Sequence, residues 1–143
     1  MALDGSGRPV DSVTSNMGHL LATGILNADE TNTVAARLAA PDMSDAYGLR
    51  TMSSQSGGFG PLRYHCGAVW PHDTAIAVGG LARTGHPEAA ARLIEGILDA
   101  ASAFDYRLPE LWGGDARADA PAPVPYPAPA GHKPGRRQQP SPS

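Results

Sequence analysis

From Pro87 to Ala101 the chain reads as one amphipathic helix, and no other stretch limits the fold so tightly. Ala90, Leu93, Ile94, Ile97, Leu98 and Ala101 recur at three- and four-residue spacing, with Glu88, Arg92, Glu95 and Asp99 on the opposite face. Pro87 suits the first turn, where its missing N–H has no partner to lose. A helix of this kind needs neighbours to cover its apolar face, so the fold must be helix packed on helix.

Three further helical segments precede it. Met17, Leu20, Leu21 and Ile25 share one face of a helix expected over about 16–26, with Ser12, Thr14 or Ser15 available as N-cap. Asn27 and Glu30 have capping-box spacing and open a second helix to about Ala40, burying Val34, Ala35 and Leu38. Pro41 stops it. Residues 42–69 read as a long polar loop, a length that in a compact domain is usually functional. Pro71 opens the third helix, which carries Ile76, Val78 and Leu81 up to Gly85. The expected fold class is therefore all-α. Two helical hairpins with elaborated loops are what part of an (α/α)6 toroid supplies; on that reading, which the helices alone do not establish, four helices are about a third of a closed ring of roughly twelve.

Composition divides the chain. From Ala116 onward there are eight prolines and almost no large aliphatic residue, so 116–143 is expected to be a disordered or polyproline-like tail behind a domain at 1–115. That tail carries Arg117, Lys133, Arg136 and Arg137 against Asp119, a net of +3; the remainder is −6, since the whole is −3. A mildly acidic body without a basic stripe argues against a nucleic-acid partner. No apolar run approaches the roughly 20 residues that cross a bilayer, and the first ten residues lack the apolar core of a signal peptide. No membrane partner and a cytoplasmic location are the expectations. Cys66 is the sole cysteine, which rules out an intramolecular disulfide.

The residue types that carry chemistry gather in two places. Residues 64–73 read Tyr-His-Cys-Gly-Ala-Val-Trp-Pro-His-Asp, and 107–114 read Arg-Leu-Pro-Glu-Leu-Trp-Gly-Gly. Glu110 sits in a loop beside a tryptophan and glycines. It is either a general base working on sugar or an exposed loop glutamate. Trp70 and Trp112, the two tryptophans, are candidates for stacking on pyranose rings or for core packing. Asn16 and His19, at the start of the first helix, are either part of its cap or ligands for sugar hydroxyls. Arg50 either tethers its loop or binds sugar. Asp73 falls in the first turn of the third helix, where its charge meets the positive end of the dipole. His65, Cys66, His72 and Asp73 lack the spacing of a zinc site, and no metal or other cofactor is expected. A nucleophilic Cys66 beside a histidine is the remaining chemical alternative.

These motifs also carry a resemblance. Asp11-Ser12-Val13-Thr14-Ser15-Asn16-Met17-Gly18-His19-Leu20-Leu21, Gly48-Leu49-Arg50-Thr51, the Tyr64–Asp73 run and Leu108-Pro109-Glu110-Leu111 follow one another in order. In this the chain resembles bacterial amylo-α-1,6-glucosidases, or glycogen debranching-like proteins, of the six-hairpin glycoside hydrolases. It also resembles mannosylglycerate hydrolase-like domains. The resemblance runs from about Ala2 to Tyr126 and covers roughly the last third of such a catalytic domain. It implies an oligosaccharide or α-glucan substrate and hydrolysis of α-glucosidic bonds. Glu110 takes the position of the general base, and Asn16, His19, Arg50, Tyr64, His65, Trp70, His72, Asp73 and Trp112 line the sugar cleft.

The general acid of such enzymes lies in an earlier hairpin that has no counterpart here, so the chain alone is expected to be inactive. Cys66 and Thr74 stand where the family usually has Asn. After Tyr126 the sequence matches nothing in the family, as a frameshift or decayed reading frame would leave it. Helix faces made to be covered by missing neighbours predict self-association. A non-catalytic remnant of a carbohydrate cleft, and a small thiol or metal protein centred on Cys66, are the alternatives.

Overall fold

A computed structural model of the chain describes residues 2–127. Its elements are β1 (Ala2–Leu3), β2 (Pro9–Val10), a 3-10 helix (Ser15–Ala22), α1 (Ala28–Leu38), α2 (Pro41–Ser44), α3 (Pro71–Arg83) and α4 (Pro87–Ala103). The architecture is all-α, an arc of a helical toroid. Its sheet is a single two-residue antiparallel ribbon pairing Ala2 with Val10 and Leu3 with Pro9. Asp4 closes that ribbon, accepting from the backbone N–H groups of Ser6 and Arg8, each at 2.9 Å. Those bonds, the Arg8 one foremost, hold its carboxyl down at about 2.

The Asn27–Glu30 capping box forms as expected, with the two reciprocal bonds both at 2.9 Å. α1 ends at Leu38, and Pro41, expected only as a stop, also starts the single turn of α2. Pro71 and Pro87 each occupy the first turn of their helices. Gly85, between α3 and α4, has φ +86°, a conformation that lets the chain reverse without a side-chain clash.

The first helix differs from expectation. It is a 3-10 helix, and its buried residues are Ser15, Gly18 and Leu21, a repeat of three rather than of 3.6. Leu20 and Ile25, expected on the buried face, are 40% and 73% exposed. The cause lies in what this helix packs on. α3 crosses it so closely that a Cβ on Gly18 would lie 3.0 Å from the Cβ of Ala77, and one on Gly80 would lie 2.8 Å from the Cβ of Leu21. Small residues are therefore demanded on both sides. α3 buries Thr74, Ala77, Gly80 and Leu81 instead of the expected Ile76 and Val78.

α3 packs against the 3-10 helix on one side and α4 on the other. α4 buries Ala90, Leu93, Gly96, Ala100 and Ala101, while Ile94 and Leu98 from the expected apolar face stay outside at 43% and 64% exposure. One core cluster lies among the helices around Leu38, Met43, Leu81 and Leu93; a second lies beneath the loops around Tyr47, Val69, Ala100 and Trp112.

The loops are held by single-residue bridges rather than by strands. Arg50 pairs with Val69, Val69 with Trp112, and Trp112 with Pro125, while Thr14 pairs with Met52. This lateral chain ties three distant segments into one rim. It also draws in residues 116–127, the start of the stretch read from composition as a disordered tail. Gly113 N–H donates to Val124 O at 2.8 Å, and the Tyr47 hydroxyl donates to Ala120 O at 3.2 Å. Proline at alternate positions leaves extended backbone whose other residues still offer partners. The rest of that stretch, residues 128–143, lies outside the described residues.

Candidate functional site

Two of the expected cleft residues turn out to be scaffold. Arg50 is 2% exposed, and its guanidinium is engaged through Nε and Nη1. Nε donates to Gly114 O at 2.6 Å, Nη1 donates to the carbonyls of Pro41 and Asp42 at 3.1 Å, and Asp45 supplies the counter-charge. It tethers the loops. Trp112 is wholly buried, with its ring against Phe104 and its N–H donated to Tyr47 O at 3.2 Å. Its place beside Glu110 in sequence suggested a sugar platform. The bridges from Trp112 to Val69 and Pro125 turn it inward instead.

Six of the expected residues do converge, five of them on a cleft of about 380 Å³. Asn16, His65, Trp70, His72 and Asp73 line it, joined by Thr14, Ser15 and Thr51. Two elements build it. The 3-10 helix brings its N-terminal hydroxyls, and the first turn of α3 brings Asp73. His19, one turn along the 3-10 helix, reaches Asp73, with Nε2 2.7 Å from Oδ1. The other carboxylate oxygen of Asp73, Oδ2, is buried and has no partner among the described residues. A buried acceptor left open costs about 1–3 kcal/mol.

The cleft wall is aromatic. The His65 and Trp70 rings lie nearly parallel at 15° with centroids 5.6 Å apart. Tyr64 meets both edge-on at 4.6 Å, and Tyr126 approaches Tyr64 at 6.0 Å. Trp70 donates its indole N–H to the backbone carbonyl of Tyr64 at 2.9 Å, so its ring face, not its N–H, is what it can offer a ligand. The Tyr64 hydroxyl donates to Glu110 Oε1 at 2.9 Å. The hydrogen bond to Glu110 raises the pKa of that phenol, because ionising it would break the bond; loss of hydration and the neighbouring carboxylate charge act in the same direction.

Of the remaining positions, Thr74 is buried, and its hydroxyl accepts the Leu49 N–H at 3.1 Å. Thr74, which stands where the resemblance expects an Asn, thus supports the loop. Cys66 is a half-buried free thiol whose backbone pairs with Gly60 and Arg63. Among the described residues, no three or more His, Cys, Asp or Glu side chains converge to hold a metal ion, and no helix is long and apolar enough to cross a membrane. Sequence reasoning missed Thr14, Ser15 and Thr51 as cleft-lining residues, and Tyr126 as a neighbour of the aromatic wall. Thr51 lay within a recognised motif; Tyr126 was obscured by the prolines around it.

A helical arc that gathers an aromatic wall, hydroxyls and carboxylates at one rim is the arrangement of an all-helical glycoside hydrolase. The chain belongs to the family of the mannosylglycerate hydrolase MGH1-like glycoside hydrolase domain, whose profile matches residues 2–110. No protein of curated function matches its sequence. Among solved structures it is similar to a GH63 mannosylglycerate hydrolase from Thermus thermophilus, seen in complex with Tris and in complex with glucose. The Tris complex is 24% identical with a TM-score of 0.64, over 78% of this chain and 27% of that one. The glucose complex is 22% identical with a TM-score of 0.64, over 84% and 28%. An uncharacterized conserved protein from the same organism is 25% identical with a TM-score of 0.61, over 78% and 28%. The chain thus spans little more than a quarter of the length of these structures.

Proposed function

We propose that this chain forms one wall of the sugar cleft of a glycoside hydrolase and carries its general base, Glu110. The observation that carries the reading is the Tyr64 bridge. It joins Glu110 to the aromatic wall at 2.9 Å, and that wall lines a cleft with an unpaired carboxylate oxygen. In the reaction, Glu110 takes a proton from water as the water oxygen bonds to the anomeric carbon. The glycosidic C–O bond breaks, and a general acid protonates the departing oxygen. Trp70 stacks on the sugar, and Asp73 lines the cleft beside it.

The general acid comes from outside these residues, so the chain alone binds sugar without turning it over. The substrate is an α-glucosidic oligosaccharide or α-glucan of the cytoplasm, or the mannosylglycerate named for the Thermus enzyme. The exposed α4 face, with Ile94 and Leu98, favours self-association. The test is titration of the purified chain with glucose, maltotriose and mannosylglycerate, following tryptophan fluorescence, with product analysis in parallel. Trp112 is buried, so quenching reports Trp70. The expected result is saturable quenching without hydrolysis. Hydrolysis that survives Glu110→Gln would sink the assignment of the base.

A further inference from the structure

Glu110 is exposed, and an exposed glutamate on a loop samples several rotamers; a base must hold one. What fixes it here is Tyr64, a residue the sequence placed among the sugar contacts. The Tyr64 ring is itself held from several sides. It meets Trp70 at 84° and His65 at 77°, both at 4.6 Å, and its carbonyl receives the Trp70 N–H at 2.9 Å. Tyr126 approaches from the segment that follows the Trp112–Pro125 bridge. The phenol is thus a preorganised donor, and it occupies one oxygen of Glu110 while leaving Oε2 for the reaction.

We propose that Tyr64 is the positioning residue of Glu110: its hydroxyl selects the carboxylate rotamer, and Trp70 and Tyr126 hold the Tyr64 ring in place. The proposal rests on Glu110 acting as the base. It also assigns the segment after Pro125 a part in the site, since Tyr126 backs the same ring. Tyr64 then acts through Glu110 and not by touching sugar.

Two probes separate this from a merely structural role. Tris is a protonated amine near neutral pH and pairs with a carboxylate; glucose is neutral and reports the stacking wall. Calorimetric titrations of the full chain are run with wild type, Tyr64→Phe and Glu110→Gln, the phenylalanine preserving the ring packing. Wild type is expected to bind both probes. Tyr64→Phe weakens Tris about tenfold and leaves glucose unchanged, and Glu110→Gln abolishes the preference for the cation. A second readout is the ionisation of the tyrosines by carbon NMR. The phenol signal absent from Tyr64→Phe should titrate above the ordinary tyrosine range in wild type, and fall back into it in Glu110→Gln. Tris affinity lost in Glu110→Gln but intact in Tyr64→Phe overturns the positioning role and leaves the base standing. Tris affinity unchanged in Glu110→Gln overturns the base itself. Failure of wild type to bind either probe overturns both.

Discussion

Asp42 gives the sharpest test of how the rim is fastened. Its carboxylate is 9% exposed and faces the Arg37 guanidinium, whose Nη1 donates to Oδ1 at 2.8 Å while Nη2 pairs with Oδ2. The buried Ser53 hydroxyl also donates to Oδ2. α1 is thereby tied to the loop that delivers Thr51 to the cleft. The Arg37 hydrogen bond is the largest cause of a carboxyl pKa held at about 2, against an ordinary 3.8; burial works the other way. At about 1.4 kcal/mol per pH unit, that difference contributes about 2.5 kcal/mol to the folded state.

The sign follows from the direction. A carboxyl whose pKa is lower when folded stabilises above its unfolded value, and the contribution disappears as pH falls through the window between about 4 and about 2. Asp42→Asn keeps the volume and removes the charge. Urea unfolding followed by circular dichroism should show the variant about 2.5 kcal/mol less stable at neutral pH. The gap between the two proteins should narrow towards zero as pH approaches about 2. A gap that stays constant into acid would refute the ion-pair account, because a packing defect carries no proton linkage.

Four further outcomes are expected. Gly80→Ala drives a Cβ to within 2.8 Å of the Leu21 Cβ and should cost about 1–3 kcal/mol in thermal unfolding; a neutral result would mean the 3-10 helix can shift. Trp112→Ala should cost about 3–5 kcal/mol, whereas Trp70→Ala should cost far less and abolish the sugar-induced fluorescence change. Asp73→Asn should weaken glucose binding about tenfold without lowering the melting temperature, and unchanged affinity would remove Asp73 from the site. Replacing Ile94 with Glu together with Leu98 with Lys should leave a monomer on analytical ultracentrifugation where wild type associates; equal association would place the contact elsewhere.

What the sequence made legible was local. The capping box at Asn27, the proline starts at 71 and 87, and the four-helix order depend on neighbours within a turn or two, and all are present. The 3-10 helix was not legible, because Met17, Leu20, Leu21 and Ile25 satisfy a 3.6 repeat while contact with α3 selects a repeat of three. The better signal was Gly18, a small residue facing Ala77 and Gly80 from a distant part of the chain, and that pairing is visible only once both helices are placed. The bridges linking residues 50, 69, 112 and 125 are equally non-local, so neither the inward turn of Trp112 nor the packing of 116–127 was open to pattern reading.

The same physics separates site from scaffold among residues that look alike in sequence. Arg50 and Asp73 are both charged side chains in polar motifs, and both are largely buried. Arg50 is almost wholly buried, with Nε and Nη1 answered by three carbonyls and a carboxylate, and such a group holds a fold together. Asp73 lines the cleft with one oxygen answered by His19 and the other buried without a partner among the described residues, and so is less completely satisfied than Arg50. The two tryptophans divide likewise. Both N–H groups are spent on backbone carbonyls, yet Trp112 is wholly buried whereas Trp70 is partly exposed and lines the cleft. Glu110 differs from an ordinary surface glutamate in the same respect: a ring held from several sides donates to one of its oxygens and leaves the other available. On the proposed reading, recognition at this rim belongs to groups whose hydrogen bonds are incomplete but whose positions are fixed by neighbours whose bonds are complete.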